Sequence, residues 1–304
     1  MRRRGKTVAR QPKRGAKPDE PTIEVAAGSG VCFGVRRAIR LATEALAESQ
    51  TVYCLGSLIH NPQEMARLAE KGLCVIESLD EAAEGGILLI RSHGLQPSVV
   101  EEAQRRGLAI VDATCPLVRR VQTLAVELAD NGYQVVVAGE AAHPEVRAIL
   151  GHAPTAEVVG SAEEVHSIAL EGPVALAAQT TFSPVRFHKM AEALVRRDLP
   201  DVRIVNTICT ATVECQRAAA ELADRVDVMF VLGGRNSANT NRLAESCAGR
   251  GVETHHLEHA GEVKREHLCG GRRIGIAAGA STPHWIIEAV CERIREVLRE
   301  AAGA

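Results

Sequence analysis

Three cysteines stand at similar places in this sequence, and three thiolates are a donor set for an iron–sulfur cluster or a metal ion. Cys115 lies in Val111-Asp112-Ala113-Thr114-Cys115-Pro116-Leu117-Val118, between a strand-like apolar run and a helix-like one that Pro116 opens. Cys32 and Cys209 sit at comparable junctions, in Gly30-Val31-Cys32-Phe33-Gly34-Val35 and Thr207-Ile208-Cys209. A sulfur at a helix N-terminus meets the positive end of the helix dipole, so its pKa is expected to fall and the metal-binding thiolate to be favoured. Taken singly, each is as well read as one buried thiol among nine cysteines. The spacing changes that reading. His60 lies 28 residues beyond Cys32, His143 lies 28 beyond Cys115, and Ser237 lies 28 beyond Cys209. A fixed period marks repeated units.

Cubane clusters normally take four Cys ligands. Three thiolates leave one iron open, as catalytic metal sites keep a position free. Zinc on three Cys is the competing reading, although zinc sites usually draw on C-x-x-C pairs and none occurs here. The other polar residues suit an anion. His60, His93 and His143 can donate hydrogen bonds, as can Ser237, Asn239, Thr180 and Ser281, and helix N-termini add backbone N–H groups. A phosphate or diphosphate is the natural guest. Alone, each Ser, Thr or Asn reads as an N-cap. Glu145 is the one acid inside these motifs, a proton relay or an ordinary charge in a first helical turn. Cys54, Cys74, Cys247, Cys269 and Cys291 read as packed thiols, and Cys215 is not promoted. His255, His256 and His259 are expected in a solvated loop.

The elements that must position these groups alternate strand and helix. Apolar runs at Ile23–Ala27, Val52–Leu55, Cys74–Ile76, Ile87–Arg91, Val135–Ala138, Val174–Ala178, Val202–Val205, Val228–Leu232 and Ile274–Ala277 read as strands. Helical spacing follows most of them. Alternation of this kind predicts an α/β protein with small, mainly parallel sheets built from βαβ crossovers. Ligands in such sheets sit beyond the carboxyl ends of the strands, where all the polar motifs fall. Three pseudo-threefold-related units around one shared site are expected: residues 22–115, 116–208 and 209–304, after a leader at 1–21.

Composition narrows the class. The chain has 304 residues, a net charge of −2 and 46% hydrophobic residues, enough for substantial cores and no global case for nucleic-acid binding. No apolar run approaches the roughly 18–20 residues of a membrane helix, and no signal-peptide core is read. An odd cysteine count without a secretion signal favours metal or redox use over disulfides. The leader is basic, lacks apolar periodicity and is predicted to be disordered.

At these residues the sequence resembles the 4-hydroxy-3-methylbut-2-enyl diphosphate reductase family, also called LytB or IspH. The motifs that carry the resemblance are the three cysteine stretches together with Ile59-His60-Asn61, Ser92-His93-Gly94, His143-Pro144-Glu145-Val146, Gln179-Thr180-Thr181, Asn236-Ser237-Ala238-Asn239 and Ala278-Gly279-Ala280-Ser281. The resemblance implies a trefoil of three α/β units around a 4Fe–4S cluster held by Cys32, Cys115 and Cys209. It implies the last step of the non-mevalonate isoprenoid pathway, in which an allylic alcohol diphosphate takes up two electrons and two protons, loses water and gives isopentenyl and dimethylallyl diphosphate. By the same resemblance, His60, His93, His143, Ser237, Asn239 and Ser281 hold the diphosphate, Glu145 supplies protons and Thr180 positions the hydroxyl end. A ferredoxin- or flavodoxin-type electron donor, a cytoplasmic location and a monomer or dimer without nucleic-acid or membrane partners are implied as well. The chain departs from the family pattern in its third unit. Ala238 replaces a second serine, removing a hydroxyl contact of about 0.5–1.5 kcal/mol. Thr210-Ala211-Thr212 stands for Tyr-Ala-Thr, and Gly233-Gly234-Arg235 for Gly-Ser-Lys. These departures keep two alternatives open: a paralogue acting on a related allylic diphosphate, and an iron–sulfur sensor without turnover.

Overall fold

The computed structural model describes residues 21–48, 51–268 and 273–302. The leader up to residue 20 and Cys269 lie outside the described residues.

Among the described residues, twelve strands, β1 to β12, fall into three four-stranded sheets, all parallel. The first contains β2 (Val52–Leu55), β3 (Leu73–Ile76), β4 (Ile87–Ile90) and β5 (Ala109–Asp112), in the order β3-β2-β4-β5. The second contains β6 (Gln134–Ala138), β7 (Glu157–Val159), β8 (Val174–Ala178) and β9 (Val202–Ile204), in the order β7-β6-β8-β9. The third contains β1 (Thr22–Val25), β10 (Val228–Leu232), β11 (Glu253–Leu257) and β12 (Arg273–Ala278), in the order β11-β10-β12-β1. Every residue of β8 and of β10 is buried. Such continuous apolar runs are what a parallel sheet covered on both faces requires.

Helices supply the covers. Helix α1 (Phe33–Glu48) packs Ala38, Ala42 and Ala45 on the first sheet, and α4 (Pro116–Asp130) packs Val121, Ala125 and Leu128 on the second. On the third sheet, α8 (Thr210–Ala223) packs Cys215, Ala219 and Leu222. The opposite faces bury separate clusters, so each sheet has two cores. The remaining helices are α2 (Pro62–Glu70), α3 (Pro97–Arg105), α5 (Pro144–His152), α6 (Ala162–Ser167), α7 (Pro184–Val195), α9 (Ala238–Ala248) and α10 (His284–Ala302). Among the described residues no helix is long and apolar enough to cross a membrane.

One feature of the topology corrects the expected boundaries. Strand β1, expected in the first unit, pairs with β12, from Thr22 opposite Arg273 to Val25 opposite Ile276. It thereby takes in the third sheet the edge position that β5 and β9 take in theirs. Each cysteine thus follows the edge strand of one sheet and opens the helix that packs on the next. Three further expectations are corrected. His255 and His256 lie half-buried on β11 rather than in a solvated loop. This edge strand carries polar side chains because one of its flanks has no neighbouring strand. Cys74, expected to be packed, is exposed on the edge strand β3. Sequence patterning leaves 157–167 and 238–257 unassigned, and the structure builds β7, α6, α9 and β11 there.

Candidate active site

The three cysteine junctions share one hydrogen-bond scheme. The backbone N–H of Cys32 donates to Ala280 O at 3.0 Å, that of Cys115 to Ser92 O at 2.9 Å, and that of Cys209 to Thr180 O at 2.8 Å. Each acceptor lies where a central strand of a sheet ends, so each cysteine is tied to the loop that carries Ser281, His93 or Thr180. The cysteine carbonyls then accept the first helical bonds, from the N–H groups of Arg36, Arg119 and Val213. Cys115 and Cys209 are N-cap residues whose sulfurs make no capping hydrogen bond. None of the three sulfurs is in a disulfide, and all three line one cavity. Gly34 makes the approach of α1 feasible: a Cβ there would lie 2.5 Å from Cys115 Sγ.

Burial dominates the protonation of two of these thiols, Cys32 and Cys115. Desolvation pushes the Cys32 and Cys115 pKa values up, outweighing the Gly34 and Val35 N–H groups beside Cys32 and those of Leu117 and Val118 beside Cys115. The expected lowering is corrected: the helix N-termini are present, but dehydration of the thiolate is the larger effect. Among the described residues, no three His, Cys, Asp or Glu side chains are close enough to hold one metal ion.

Across the same cavity stand three imidazoles. The ring centroids of His60 and His93 are 4.4 Å apart, and each lies 5.6 Å from that of His143. Burial lowers the pKa of all three; neighbouring imidazoles add to this at His93 and His143, and that of His143 falls to about 3. The rings are neutral at pH 7. His143 caps α5 by accepting the Glu145 N–H on Nδ1 at 3.2 Å, which leaves the ring proton on Nε2. Both nitrogens of His60, Nδ1 of His93 and both amide atoms of Asn239 are buried without a hydrogen-bond partner. Native proteins rarely leave such groups unpaired, so the cluster has the character of an incomplete anion site. Ser237 caps α9 by accepting the Thr240 N–H at 3.3 Å, and its own hydroxyl hydrogen stays available. The Ser281 hydroxyl donates to His60 O at 3.0 Å and ties the third unit to the first.

Glu145 is 1% exposed, and among the described residues its carboxylate is hydrogen-bonded to Thr180 alone. It accepts the Thr180 N–H at 2.7 Å and the Thr180 hydroxyl at 2.8 Å. Burial pushes its pKa up to about 7, against the opposing pull of those two bonds and of Arg242. A carboxyl poised near neutrality is suited to giving and regaining a proton. The cavity has about 710 Å³ of empty space, counting its open mouth. It is lined by Cys32, Cys115, Cys209, His60, His93, His143, Glu145, Thr180, Ser237, Asn239 and Ser281, so all eleven candidate residues meet there.

Comparison with known proteins identifies the family. The family model described as LytB protein matches residues 23–295. The chain belongs to the LytB family. Among LytB relatives, the 4-hydroxy-3-methylbut-2-enyl diphosphate reductase of Geobacter metallireducens is 45% identical over 278 residues, covering 90% of this chain and 97% of the relative. That of Aquifex aeolicus is 42% identical, covering 90% and 96%. A solved structure of (E)-4-hydroxy-3-methyl-but-2-enyl diphosphate reductase, the terminal enzyme of the non-mevalonate pathway, is 42% identical with a TM-score of 0.68, covering 90% of this chain and 99% of that one. The E-1-hydroxy-2-methyl-but-2-enyl-4-diphosphate reductase from Plasmodium falciparum is 25% identical with a TM-score of 0.85, covering 91% and 88%.

Two cations of this LytB chain escaped the sequence reading. Arg242, on α9, has a side chain only 11% exposed and pairs with Glu140 at 2.5 Å, joining the third unit to the loop before His143. Its Nη1 is buried without a partner, and its charge opposes protonation of His143 and favours ionisation of Glu145. Arg91, half-buried at the end of β4, depresses the pKa of all three histidines. The available signal was Arg242 standing three residues beyond Asn239, on the same helical face. An anion between these groups would stabilise the protonated imidazoles. Inorganic diphosphate is therefore expected to bind with proton uptake near pH 7, and calorimetry in buffers of different ionisation enthalpy reads it as a buffer-dependent heat. A buffer-independent heat would mean that the imidazoles stay neutral.

Proposed function

We propose that the chain is a reductase of 4-hydroxy-3-methylbut-2-enyl diphosphate, yielding isopentenyl and dimethylallyl diphosphate at the end of the non-mevalonate pathway. The observation that carries the proposal is the meeting of three free thiols, an unpaired imidazole cluster and the Glu145–Thr180 pair in one cavity of a LytB chain.

The residues fit an iron–sulfur group. The thiols of Cys32, Cys115 and Cys209 come from three separate helix N-termini, the sulfurs of Cys115 and Cys209 make no capping bonds, and burial disfavours the thiolates of Cys32 and Cys115 without a nearby cation. A 4Fe–4S cluster on these three thiolates would supply electrons and Lewis acidity at its open iron.

The chain's own residues do the rest. His60, His93, His143, Ser237, Asn239 and Ser281 hold the diphosphate, with Arg91 and Arg242 giving the pocket its positive field. That grip fixes the substrate along the cavity, so its hydroxyl end lies towards the thiols and the Glu145–Thr180 pair. The Thr180 hydroxyl, held by Glu145, orients the substrate oxygen. Glu145, protonated below about pH 7, delivers a proton to the departing oxygen so that it leaves as water. Ala238, at the cavity wall, offers no hydroxyl to the diphosphate. The Glu145–Thr180 contact favours a catalytic role over a sensor, which has no need of a buried acid held on a substrate-facing hydroxyl. The same reading places the enzyme in the cytoplasm.

The deciding experiment is anaerobic cluster reconstitution followed by turnover with reduced methyl viologen. The expected result is consumption of the allylic alcohol diphosphate and formation of both five-carbon diphosphates. A reconstituted protein that consumes no allylic diphosphate would be a sensor, and one that consumes only a different alcohol would be a paralogue.

A further inference from the structure

A second cavity opens where the first unit meets the second. It lies between α3 and α4, over the carboxyl ends of β4 and β5, where parallel sheets commonly hold ligands. It has about 1170 Å³ of empty space, counting its open mouth. It shares no lining residue with the active-site cavity, yet the two stand back to back. In the segment 90–95, Ser92 and His93 line the active site, whereas Ile90 and Leu95 line the second cavity. In the segment 112–119, Cys115, Leu117 and Val118 line the first, and Asp112, Thr114 and Arg119 line the second. One wall thus serves both.

The chemistry of the second cavity is divided. Its buried part is apolar, built from Ile90, Leu95, Val100, Ile110 and Val126. Among them stands Gln122, which is 5% exposed and whose Nε2 is buried without a hydrogen-bond partner. Such a donor is rare in a native fold, and it asks for an oxygen acceptor. The same nitrogen lies against the His93 loop: a Cβ on Gly94 would come within 2.4 Å of it. The rim is acidic. Glu101 on α3 and Glu127 on α4 are exposed, and among the described residues neither is ion-paired, since the nearby Arg105 and Arg106 are held by Glu102. Arg119 is committed to Asp112 at 2.5 Å, and burial lowers the pKa of His152, the other basic residue of the lining. A negative guest is therefore disfavoured, and a positive group at the mouth is favoured.

We propose that this cavity is an effector site for a small molecule with an oxygen acceptor at one end, an ammonium group at the other and a short apolar stem between, and that its occupation strengthens diphosphate binding through the shared wall. The acceptor takes the Gln122 N–H, the stem covers the aliphatic side chains, and the ammonium meets the Glu101 and Glu127 carboxylates. A guest on Gln122 ties down the amide that lies against Gly94. A His93 loop already stiffened in this way has less freedom to lose when an anion orders it. The coupling rests on the diphosphate site of the reductase reading above; the second site itself does not.

The test uses reconstituted holoprotein and N-acetylputrescine, followed by saturation-transfer NMR and calorimetry. Saturable binding at one site per chain is expected, with a Kd of about 1 mM, as suits so small a molecule, weakening as ionic strength rises. N-Butylacetamide, which lacks the ammonium, should bind at least about threefold more weakly, and 4-acetamidobutyrate, which carries a carboxylate instead, more weakly still. Gln122→Met should weaken N-acetylputrescine at least about threefold, yet melt at or above the wild-type temperature because a buried unpaired donor is gone. Glu101→Gln with Glu127→Gln should also weaken it and flatten its salt dependence, with viologen-driven turnover unchanged when no probe is present. With the site saturated, the Kd of inorganic diphosphate should fall about fivefold, and diphosphate should tighten N-acetylputrescine by the same factor. No saturable binding, equal affinity for the three compounds, or affinity unchanged in both variants overturns the site. A diphosphate Kd unmoved by the probe overturns the effector role. A wild type that binds no diphosphate, with or without the probe, overturns the reductase reading's anion site instead.

Discussion

Glu145→Gln is expected to lower turnover by about 10²–10⁴-fold, the contribution typical of a positioned general acid, while iron content and fold are retained. The variant keeps the local bonds: the amide oxygen accepts the Thr180 N–H, and the amide N–H can donate to the Thr180 hydroxyl, whose role reverses. What it loses is an exchangeable acid at the only buried carboxyl of the cavity. The wild-type pH profile should carry the same signature. With a pKa near 7 the acid form dominates below that value, so turnover falls on the alkaline side with an apparent pKa at or above about 7. In Glu145→Gln that alkaline limb should vanish along with most of the rate. Stability gives a second readout. A carboxyl whose pKa is raised in the fold binds its proton more tightly folded than unfolded. Stability therefore declines as pH rises from the ordinary carboxylate range through 7, by about 3 kcal/mol at roughly 1.4 kcal/mol per unit. The Gln variant lacks this decline, so it should melt at or above the wild-type temperature at pH 8. Full activity in this variant would remove Glu145 from the mechanism.

Cys115→Ser is expected to abolish cluster binding and with it all turnover. Removing an outer-sphere partner of a metal ligand already costs about 10–100-fold, and on the proposed reading one of three ligands itself is lost. Folding should survive. Serine is a preferred N-cap where cysteine is not, and the backbone bonds from Cys115 N–H to Ser92 O and from Arg119 N–H to Cys115 O do not involve the side chain. Iron and sulfide analysis, Mössbauer spectroscopy and circular dichroism on the same sample separate the two effects. A variant with native spectra and full iron would show that Cys115 is not a ligand.

The site was readable in the sequence because it is built from local units repeated at a fixed interval. A strand end, a small turn and a helix start can be seen within about ten residues, and the 28-residue step from each cysteine to His60, His143 or Ser237 exposes the repetition. Three parallel-sheet units follow from the same alternation. What was not readable depends on distance in the chain. The pairing of β1 with β12 leaves no local mark, since Thr22 and Arg273 lie at opposite ends of the described chain. Strand β11 was missed because an edge position tolerates Glu253, Thr254, His255 and His256 in a row. The sign of the thiol pKa shifts was misjudged because the helix dipole is legible from sequence, whereas the burial that overrides it comes from three units closing on one another. Arg242 was overlooked for a similar reason: nothing near it announces Glu140 as its partner.

The placement of β1 also sets a timetable for assembly. The strand that leads into Cys32 finds its neighbour only when β12 has been made, late in synthesis. Until then the first thiol has no fixed address, and a nascent chain holds at most two of the three sulfurs in register. Pairings this remote are slow to form because a very large loop has to close before any contact rewards it. On the proposed reading, cluster insertion is therefore expected to follow completion of the chain. A chain cut short before residue 273 would leave β1 and Cys32 without their anchor, although two of its three sheets were already whole.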